Sequence, residues 1–84
     1  MISWEEFQDC SLNQQINLLY AHGTFVMAIR YYSYKVNLYL FGDKYVEVFI
    51  NHKYAAIEKI ALLDRAHTRM KFYSDQIKIP LELA

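Results

Sequence analysis

The stretch KVNLYLFGDKYVEVFI, residues 35–50, predicts a β-hairpin, and the fold of the chain follows from it. Apolar side chains alternate with others on both sides of Gly42-Asp43, which is typical of strands with one buried face. Glycine supplies the positive φ angle that a two-residue hairpin turn requires. We therefore expect a strand over residues 35–41, a tight turn at 42–43 and a second strand over 44–50.

The predicted hairpin carries rings on what we interpret as one of its two faces. If the aliphatic residues of both strands share one face, Asn37 and Glu47 lie on the other, together with four aromatic residues: Tyr39, Phe41, Tyr45 and Phe49. Aromatic residues are enriched in the centre of protein interfaces, so this face indicates a contact surface. The alternative is that another part of the same chain covers the rings.

Two capping boxes predict the helices that precede the strands. Ser3 with Glu6, and Ser11 with Gln14, have the spacing at which each side chain binds the other residue's backbone N–H. Gly23 follows the last apolar position of the second helix and predicts its C-terminal cap. We therefore expect one helical region that restarts near Ser11 and ends before residue 24.

Weaker patterns assign the rest of the chain. Residues 24–32 are rich in β-branched and aromatic side chains and predict a strand, with a loose turn at 33–34. Residues 51–63 fit either the start of a long helix or a fourth strand over 56–63, and we favour the strand because a helical apolar stripe begins only at Leu63. Asp64 is then the expected N-cap of a helix over 65–76. Pro80 would confine any strand in the tail to a sheet edge.

These elements predict one α+β domain over residues 1–84. An antiparallel meander of three or four strands forms one layer, and the N-terminal and C-terminal helices form a second layer on its aliphatic face (α-β-β-β-(β)-α). Neighbouring strands with short connections favour a meander, and helices that flank the strands reach one face without a crossover.

Composition and charge exclude several classes of protein. Nine basic and nine acidic side chains cancel, so nothing favours binding to DNA, RNA or an anionic membrane. The 55% of hydrophobic residues excludes a disordered chain. The apolar run over 25–29 is too short to cross a bilayer, and MISWEEF lacks the features of a signal peptide. Cys10 has no partner for an intrachain disulfide, which favours a cytoplasmic protein.

No pattern predicts catalysis, a metal site or a cofactor. Three histidines and one cysteine are present, and their spacing matches no zinc motif: Cys10, His22, His52 and His67. Nothing pairs a nucleophile with a base, and two glycines cannot form a phosphate-binding loop. We expect no enzyme, and no catalytic, metal-binding or cofactor-binding residues.

The function expected from the sequence is that of a small cytoplasmic interaction module. It would self-associate as a homodimer, or bind another protein, through Tyr39, Phe41, Tyr45 and Phe49. The alternative is a single-stranded nucleic-acid binder whose bases stack on Tyr39, Tyr45 and Phe49. Zero net charge and the carboxylate of Glu47 on the same face make nucleic acid the less favoured partner.

Overall fold

A four-stranded antiparallel sheet is the centre of the computed structural model, which describes residues 2–67 and 69–76, with Gln76 by its backbone alone. The strands are β1 (Thr24–Tyr31), β2 (Tyr34–Phe41), β3 (Lys44–Asn51) and β4 (Ala56–Leu62), and they lie in that order. Helices α1 (Trp4–Asp9) and α2 (Leu12–His22) precede the sheet, and α3 (Met70–Gln76) follows it. The predicted α+β class, the meander and the helices at both ends are confirmed.

Both predicted capping boxes are formed. The backbone N–H of Glu6 donates to Ser3 Oγ at 3.1 Å, and the N–H of Ser3 donates back to Glu6 Oε1 at 3.3 Å. At the start of α2, Ser11 and Gln14 make the same two bonds at 3.2 and 3.0 Å. Each helix therefore begins at its own cap, with a break at Cys10 between them.

Gly23 ends α2 for a reason of space. Its φ angle of −86° is ordinary, so the left-handed conformation is not what requires glycine here. The Gly23 N–H donates to the Leu19 carbonyl oxygen at 2.7 Å, and a Cβ at Gly23 would lie 2.6 Å from that oxygen. The close approach of the two backbone segments leaves no room for a side chain.

The turns between strands lie close to their predicted positions. Gly42, with φ 63°, joins β2 to β3 as predicted. The β1–β2 turn lies one residue earlier than predicted, at residues 32–33, because Tyr32 adopts the left-handed conformation with φ 53°. Between β3 and β4, Asn51 Oδ1 accepts the N–H groups of Lys53 and Tyr54 at 2.8 and 3.3 Å. That turn leads into β4, and the prediction of a fourth strand is confirmed.

The predicted start of the last helix near Arg65 is wrong, because α3 begins at Met70. Asp64 Oδ1 accepts the N–H of Ala66 at 2.9 Å and forms a local turn instead of a helix cap. His67 Nδ1 accepts the N–H of Arg69 at 3.0 Å in the same way. Side chains that bind nearby N–H groups compete with helix formation. The tail around Pro80, where any strand was expected to lie at a sheet edge, is outside the described residues.

The helices lie on both faces of the sheet. On one side, which we call the first face, α1 and α2 cover a buried cluster of Phe7, Leu19, Phe41, Val46 and Val48. On the other, the second face, Tyr73 of α3 belongs to a buried cluster with Ile29, Val36, Leu38 and Phe49. Successive strand residues point to opposite faces, so these clusters lie on opposite sides of the sheet. The predicted placement of all helices on one aliphatic face is corrected accordingly.

The register of the β2–β3 hairpin explains this arrangement. Its two-residue turn pairs Phe41 with Lys44, which places Val36 opposite Phe49. Even-numbered residues of β2 therefore share a face with odd-numbered residues of β3. The prediction of one aliphatic and one aromatic face assumes the opposite pairing, and a shift of one residue moves every side chain of a strand to the other face. Both faces of the hairpin are apolar, and each requires its own cover.

Candidate interaction surface

The four residues predicted to form an aromatic contact surface do not share a face. Tyr39 lies opposite Val46 on the first face, and Phe41 belongs to the first-face cluster. Tyr45 and Phe49 lie on the second face, in phase with each other along β3. The prediction that the four form one continuous surface is therefore wrong, because the sheet separates them into two pairs.

Two of these four rings are part of the core. Phe41 and Phe49 are only 4% and 5% exposed. The Phe41 ring lies 5.1 Å from the ring of Phe7, which α1 supplies. The Phe49 ring packs edge-on against Tyr34 at 5.7 Å, and the Arg69 guanidinium lies 5.1 Å from its centroid. Other parts of the chain thus cover these rings, which is the alternative that the sequence left open.

A buried carboxylate ties the C-terminal segment to the second face. The side chain of Glu47 is 0% exposed, and its Oε1 accepts from Arg69 Nη2 at 2.8 Å. Its Oε2 accepts from Arg69 Nε at 3.1 Å and from the Tyr73 hydroxyl at 2.8 Å. A carboxylate removed from water costs several kcal/mol unless such partners satisfy it. The sequence signal for this contact is an acidic residue between Val46 and Val48 in a strand.

Contact with Glu47 and burial both change the pKa values of Arg69 and Tyr73. The hydrogen bonds of Arg69 to Glu47 are the main reason that the pKa of Arg69 is raised, and burial opposes this effect. Burial, followed by the hydrogen bond to Glu47, raises the pKa of the Tyr73 hydroxyl. The Arg69 guanidinium also lies 5.4 Å from the Tyr31 ring. Because both carboxylate oxygens have donors from the C-terminal segment, this cluster acts as a clamp between that segment and β3.

An apolar groove of about 330 Å³ opens beside the clamp on the second face. Its lining includes Val26, Met27, Tyr45, Leu63, Met70 and Tyr73. Val26 is 45% exposed and lies at a β-bulge, where the pairing of β1 with β2 shifts between Phe25 and Met27. A bulge inserts an extra residue that has no partner across the ladder, which is why this valine is left at the surface.

An aromatic cluster of Tyr20, Phe25 and Tyr39 lies at the same end of β1, on the first face. The Tyr39 ring centroid is 5.9 Å from that of Tyr20 and 5.6 Å from that of Phe25. Burial raises the pKa of Tyr39, and the neighbouring Tyr20 adds to this effect. Tyr20 and Phe25 remain 58% and 54% exposed. We call these two residues, together with Val26 of the second-face groove at the same end of β1, the β1-start patch.

The β1-start patch adjoins a free edge of the sheet. Within the described residues β1 pairs with β2 alone, so the backbone groups on its outer side have no strand partner. Its one charged residue is Arg30, whereas β4 at the opposite edge carries Glu58 and Lys59. Charged side chains are a common protection of exposed edges. Of the two edges, β1 therefore has the fewer charged side chains to oppose pairing with another strand.

The far end of β1 carries positive charge on the first face. Arg30 lies opposite Lys35 in the β1–β2 ladder, and both side chains are exposed. We call these two residues the cationic pair. Together with His52, they line a shallow depression of about 250 Å³. The two ends of β1 on the first face therefore differ in chemistry, with rings at one end and cations at the other.

The sequence analysis did not identify the β1-start patch. The run of Phe25, Val26 and Met27 departs from strict alternation at the start of a strand, which is a detectable sign of a bulge. No sequence pattern places Tyr20 of α2 beside Tyr39 of β2, because that contact depends on how the helix packs on the sheet. Tyr39 is the one residue that the predicted site shares with the aromatic cluster of Tyr20, Phe25 and Tyr39.

The residues considered for metal binding or nucleophilic chemistry form no cluster in the part of the chain that the structure describes. There, no group of three His, Cys, Asp or Glu side chains is placed to hold a metal ion. The Cys10 thiol donates to the Glu6 carbonyl oxygen at 3.4 Å and so lies at the end of α1.

Comparison with known proteins leaves the function to be argued from this geometry. No protein-family model, curated protein or solved structure matches the chain. None of the helices in residues 2–67 and 69–76 has the length and apolar character needed to cross a membrane.

Proposed function

We propose that this chain is a small protein-interaction module without catalysis of its own, and that its contact surface is the β1-start patch. The observation that carries the proposal is the exposure of Tyr20, Phe25 and Val26 at a free strand edge. Grouped apolar side chains at a surface are typical of interaction sites, and aromatic rings supply much of the binding energy in such sites. The predicted aromatic surface is thereby replaced by a neighbouring one, in which Tyr20 and Phe25 pack against Tyr39.

Catalysis is left out of the proposal because of how the polar groups near the groove are used. The Glu47 carboxylate is the acidic group beside the groove, and Arg69 and Tyr73 donate three hydrogen bonds to it. A general base must lie within hydrogen-bond reach of the proton that it removes, and the Glu47 side chain is 0% exposed. The role that its contacts support is to hold the C-terminal segment on the sheet.

Single-stranded nucleic acid is the second candidate from the sequence, and the geometry does not favour it. Binding of that kind uses rings that lie together on one accessible face with positive charge around them. Tyr39 and Tyr45 point to opposite faces of the sheet, and Phe49 is buried. We therefore rank a protein partner above nucleic acid.

We propose a cytoplasmic setting for this module. The support is Cys10, which is a free thiol in the structure and the single cysteine of the sequence. Disulfides are the usual reinforcement of small secreted domains, and this chain has none to offer.

Site-specific photo-crosslinking in the cell of origin tests the proposed function. The photoreactive residue p-benzoylphenylalanine replaces Phe25 in one variant and Tyr54, at the β3–β4 turn, in a matched control. Both positions carry exposed rings, at 54% and 68%, so the substitution is sterically similar. We expect the variant at position 25 to form a cross-linked protein adduct and the control to form little.

The result that overturns the proposed function is equal cross-linking at the two positions or none at either. In that case exposure of the β1-start patch would have no more functional meaning than exposure of any other surface ring. Mass spectrometry of the adduct identifies the partner, and it separates a second copy of this chain from a different protein.

A further inference from the structure

The two ends of β1 on the first face carry side chains that attract each other. Phe25 and Arg30 lie opposite Tyr39 and Lys35, which are four positions apart on β2, and this corresponds to about 13 Å along the strand. The aromatic cluster lies at the first position and the cationic pair at the second, so they do not touch within one chain. An antiparallel partner strand reverses this order and would bring rings beside cations at both ends.

We infer that two copies of this chain pair β1 with β1 as antiparallel edge strands, so that the aromatic cluster of each copy faces the cationic pair of the other. The inference rests on the proposed function, in which the β1-start patch is the contact surface. The two sheets then join into one continuous sheet of eight strands. The outer backbone groups of β1 are satisfied by their counterparts in the second copy.

The second copy fits this edge because the edge is complementary to itself. A two-fold axis through the middle of β1 makes each contact occur twice, as in most closed dimers. A Lys or Arg over an aromatic ring is attracted by the negative face of the ring. The chain already uses this contact internally, since Lys59 lies 5.2 Å from the Phe49 ring centroid and Arg65 lies 6.0 Å from that of Tyr45.

The net charge and the accessibility of the first face also favour a second copy as the partner. Nine basic and nine acidic side chains leave no net charge, so two copies do not repel each other at long range. α3 covers the second face, and the contact between aromatic cluster and cationic pair forms on the first. Phe25 and Arg30 on the first face remain accessible because both are exposed in the single chain.

The size of this surface indicates a weak dimer. Aromatic side chains bury about 150–250 Å² each when fully covered, and Tyr20 and Phe25 are already about half covered. With the strand backbone and Val26, the area lies near the lower limit of specific interfaces, roughly 1,200 Å² in total. We therefore expect a dimer with a dissociation constant in the micromolar range, which dissociates on dilution.

Sedimentation equilibrium of the full chain over a range of concentrations tests the inference through a double-mutant cycle. Phe25→Ala and Arg30→Ala are each expected to raise the dimer dissociation constant by roughly fivefold to thirtyfold, because each removes two symmetry-related cation–ring contacts. The double variant is expected to raise it by less than the product of the two single effects. Since the residues do not meet within one chain, such coupling reports a contact between copies.

The matched control is another exposed cation and ring, placed in a turn that the proposed β1–β1 contact does not include. Lys53 lies 5.4 Å from the Tyr54 ring centroid within the β3–β4 turn. Lys53→Ala and Tyr54→Ala are expected to leave the dissociation constant unchanged. Far-UV circular dichroism and thermal unfolding of every variant confirm that the fold is retained, which is expected because all four positions are exposed.

Three results would overturn the inference. The first is a wild-type chain that stays monomeric at the highest concentration reached, and the second is strictly additive effects of Phe25→Ala and Arg30→Ala. The third is a dimer that is insensitive to both variants and is lost when residues 77–84 are removed, which would assign dimerisation to the tail. If the chain is monomeric and residue 25 still cross-links to a different protein, the proposed function stands and this inference falls.

Discussion

Glu47 is one acidic residue among the buried apolar positions of β3, and it determines how the C-terminal segment attaches to the sheet. Residue 47 and Arg69 are far apart in sequence, yet two hydrogen bonds of 3.1 and 2.8 Å join their side chains. The Arg69 side chain is 10% exposed, so water compensates little of either charge. Loss of one partner therefore leaves the other charge buried without compensation.

At this scale we predict that Glu47→Gln and Arg69→Met each lower the free energy of unfolding by about 3–5 kcal/mol. The double variant should lose less than the sum, because neither buried charge then remains unpaired. Urea unfolding followed by circular dichroism measures all three values. Asp43→Asn is the control, since the Asp43–Lys44 pair is 4.0 Å apart at an exposed turn and should change stability by less than about 1 kcal/mol. Additive losses would contradict the clamp.

Helix α2 illustrates the scale of single elements, because its start and its end are fixed by different means. Ser11 starts it through hydrogen bonds that can be read from the S-x-x-Q spacing. Gly23 lies at its end because the backbone passes so close to the Leu19 carbonyl oxygen that a Cβ would be only 2.6 Å away. The first device depends on local sequence, and the second on the path of the backbone after the helix.

We predict that Gly23→Ala destabilises the chain by about 1–3 kcal/mol, as other overpacked substitutions do. The φ angle of −86° suits alanine, so the whole effect comes from the contact with Leu19. Thermal unfolding measures it, with Asn17→Ala as a control on the exposed side of the same helix, where alanine is expected to be neutral or slightly stabilising. Equal melting temperatures for the wild type and Gly23→Ala would show that the Leu19 carbonyl moves aside without cost.

An element can be predicted from the sequence when nearby residues determine it, and cannot when distant residues do. Both capping boxes, the turn at Gly42-Asp43 and β4 are visible in the sequence, because each depends on residues a few positions apart. The two-residue turn also determines the register of β2 against β3, and the predicted aromatic face does not agree with that register. The late start of α3 and the contact between Tyr20 and Tyr39 depend on tertiary packing and leave no periodic trace.

At the scale of the whole molecule, stability depends on pH, because the packing of α3 on the second face buries a hydroxyl group that can lose a proton. Tyr73 of α3 is 3% exposed and donates to the Glu47 carboxylate at 2.8 Å. Burial and this hydrogen bond raise the pKa of Tyr73 above its ordinary value of 10.0. The unfolded chain therefore releases this proton at a lower pH than the folded chain does.

We predict that the free energy of unfolding falls as the pH rises above about 10. Below the unfolded pKa both states hold the Tyr73 proton and the contribution is fully present, whereas above it the unfolded state binds fewer protons and is favoured. Urea unfolding at a series of alkaline pH values should show this fall, and Tyr73→Phe should show a shallower one. The variant also starts lower by about 1–3 kcal/mol, since it loses the bond to Glu47.

The control for this alkaline series is Tyr54→Phe, which alters an exposed ring outside the clamp. It should follow the wild-type curve throughout. If Tyr73→Phe and the wild type lose stability in parallel, the Tyr73 hydroxyl is not the group that couples unfolding to pH.

The Glu47 clamp also has a consequence for partial unfolding of the chain. If α3 detaches while β1–β4 stay paired, the second face of the sheet loses its helix. The Glu47 carboxylate then becomes hydrated in the middle of the apolar surface, where a charge opposes aggregation as a gatekeeper residue does. When Arg69 and Tyr73 return, the same carboxylate is their anchor. One side chain thus protects the open sheet and holds the closed one together.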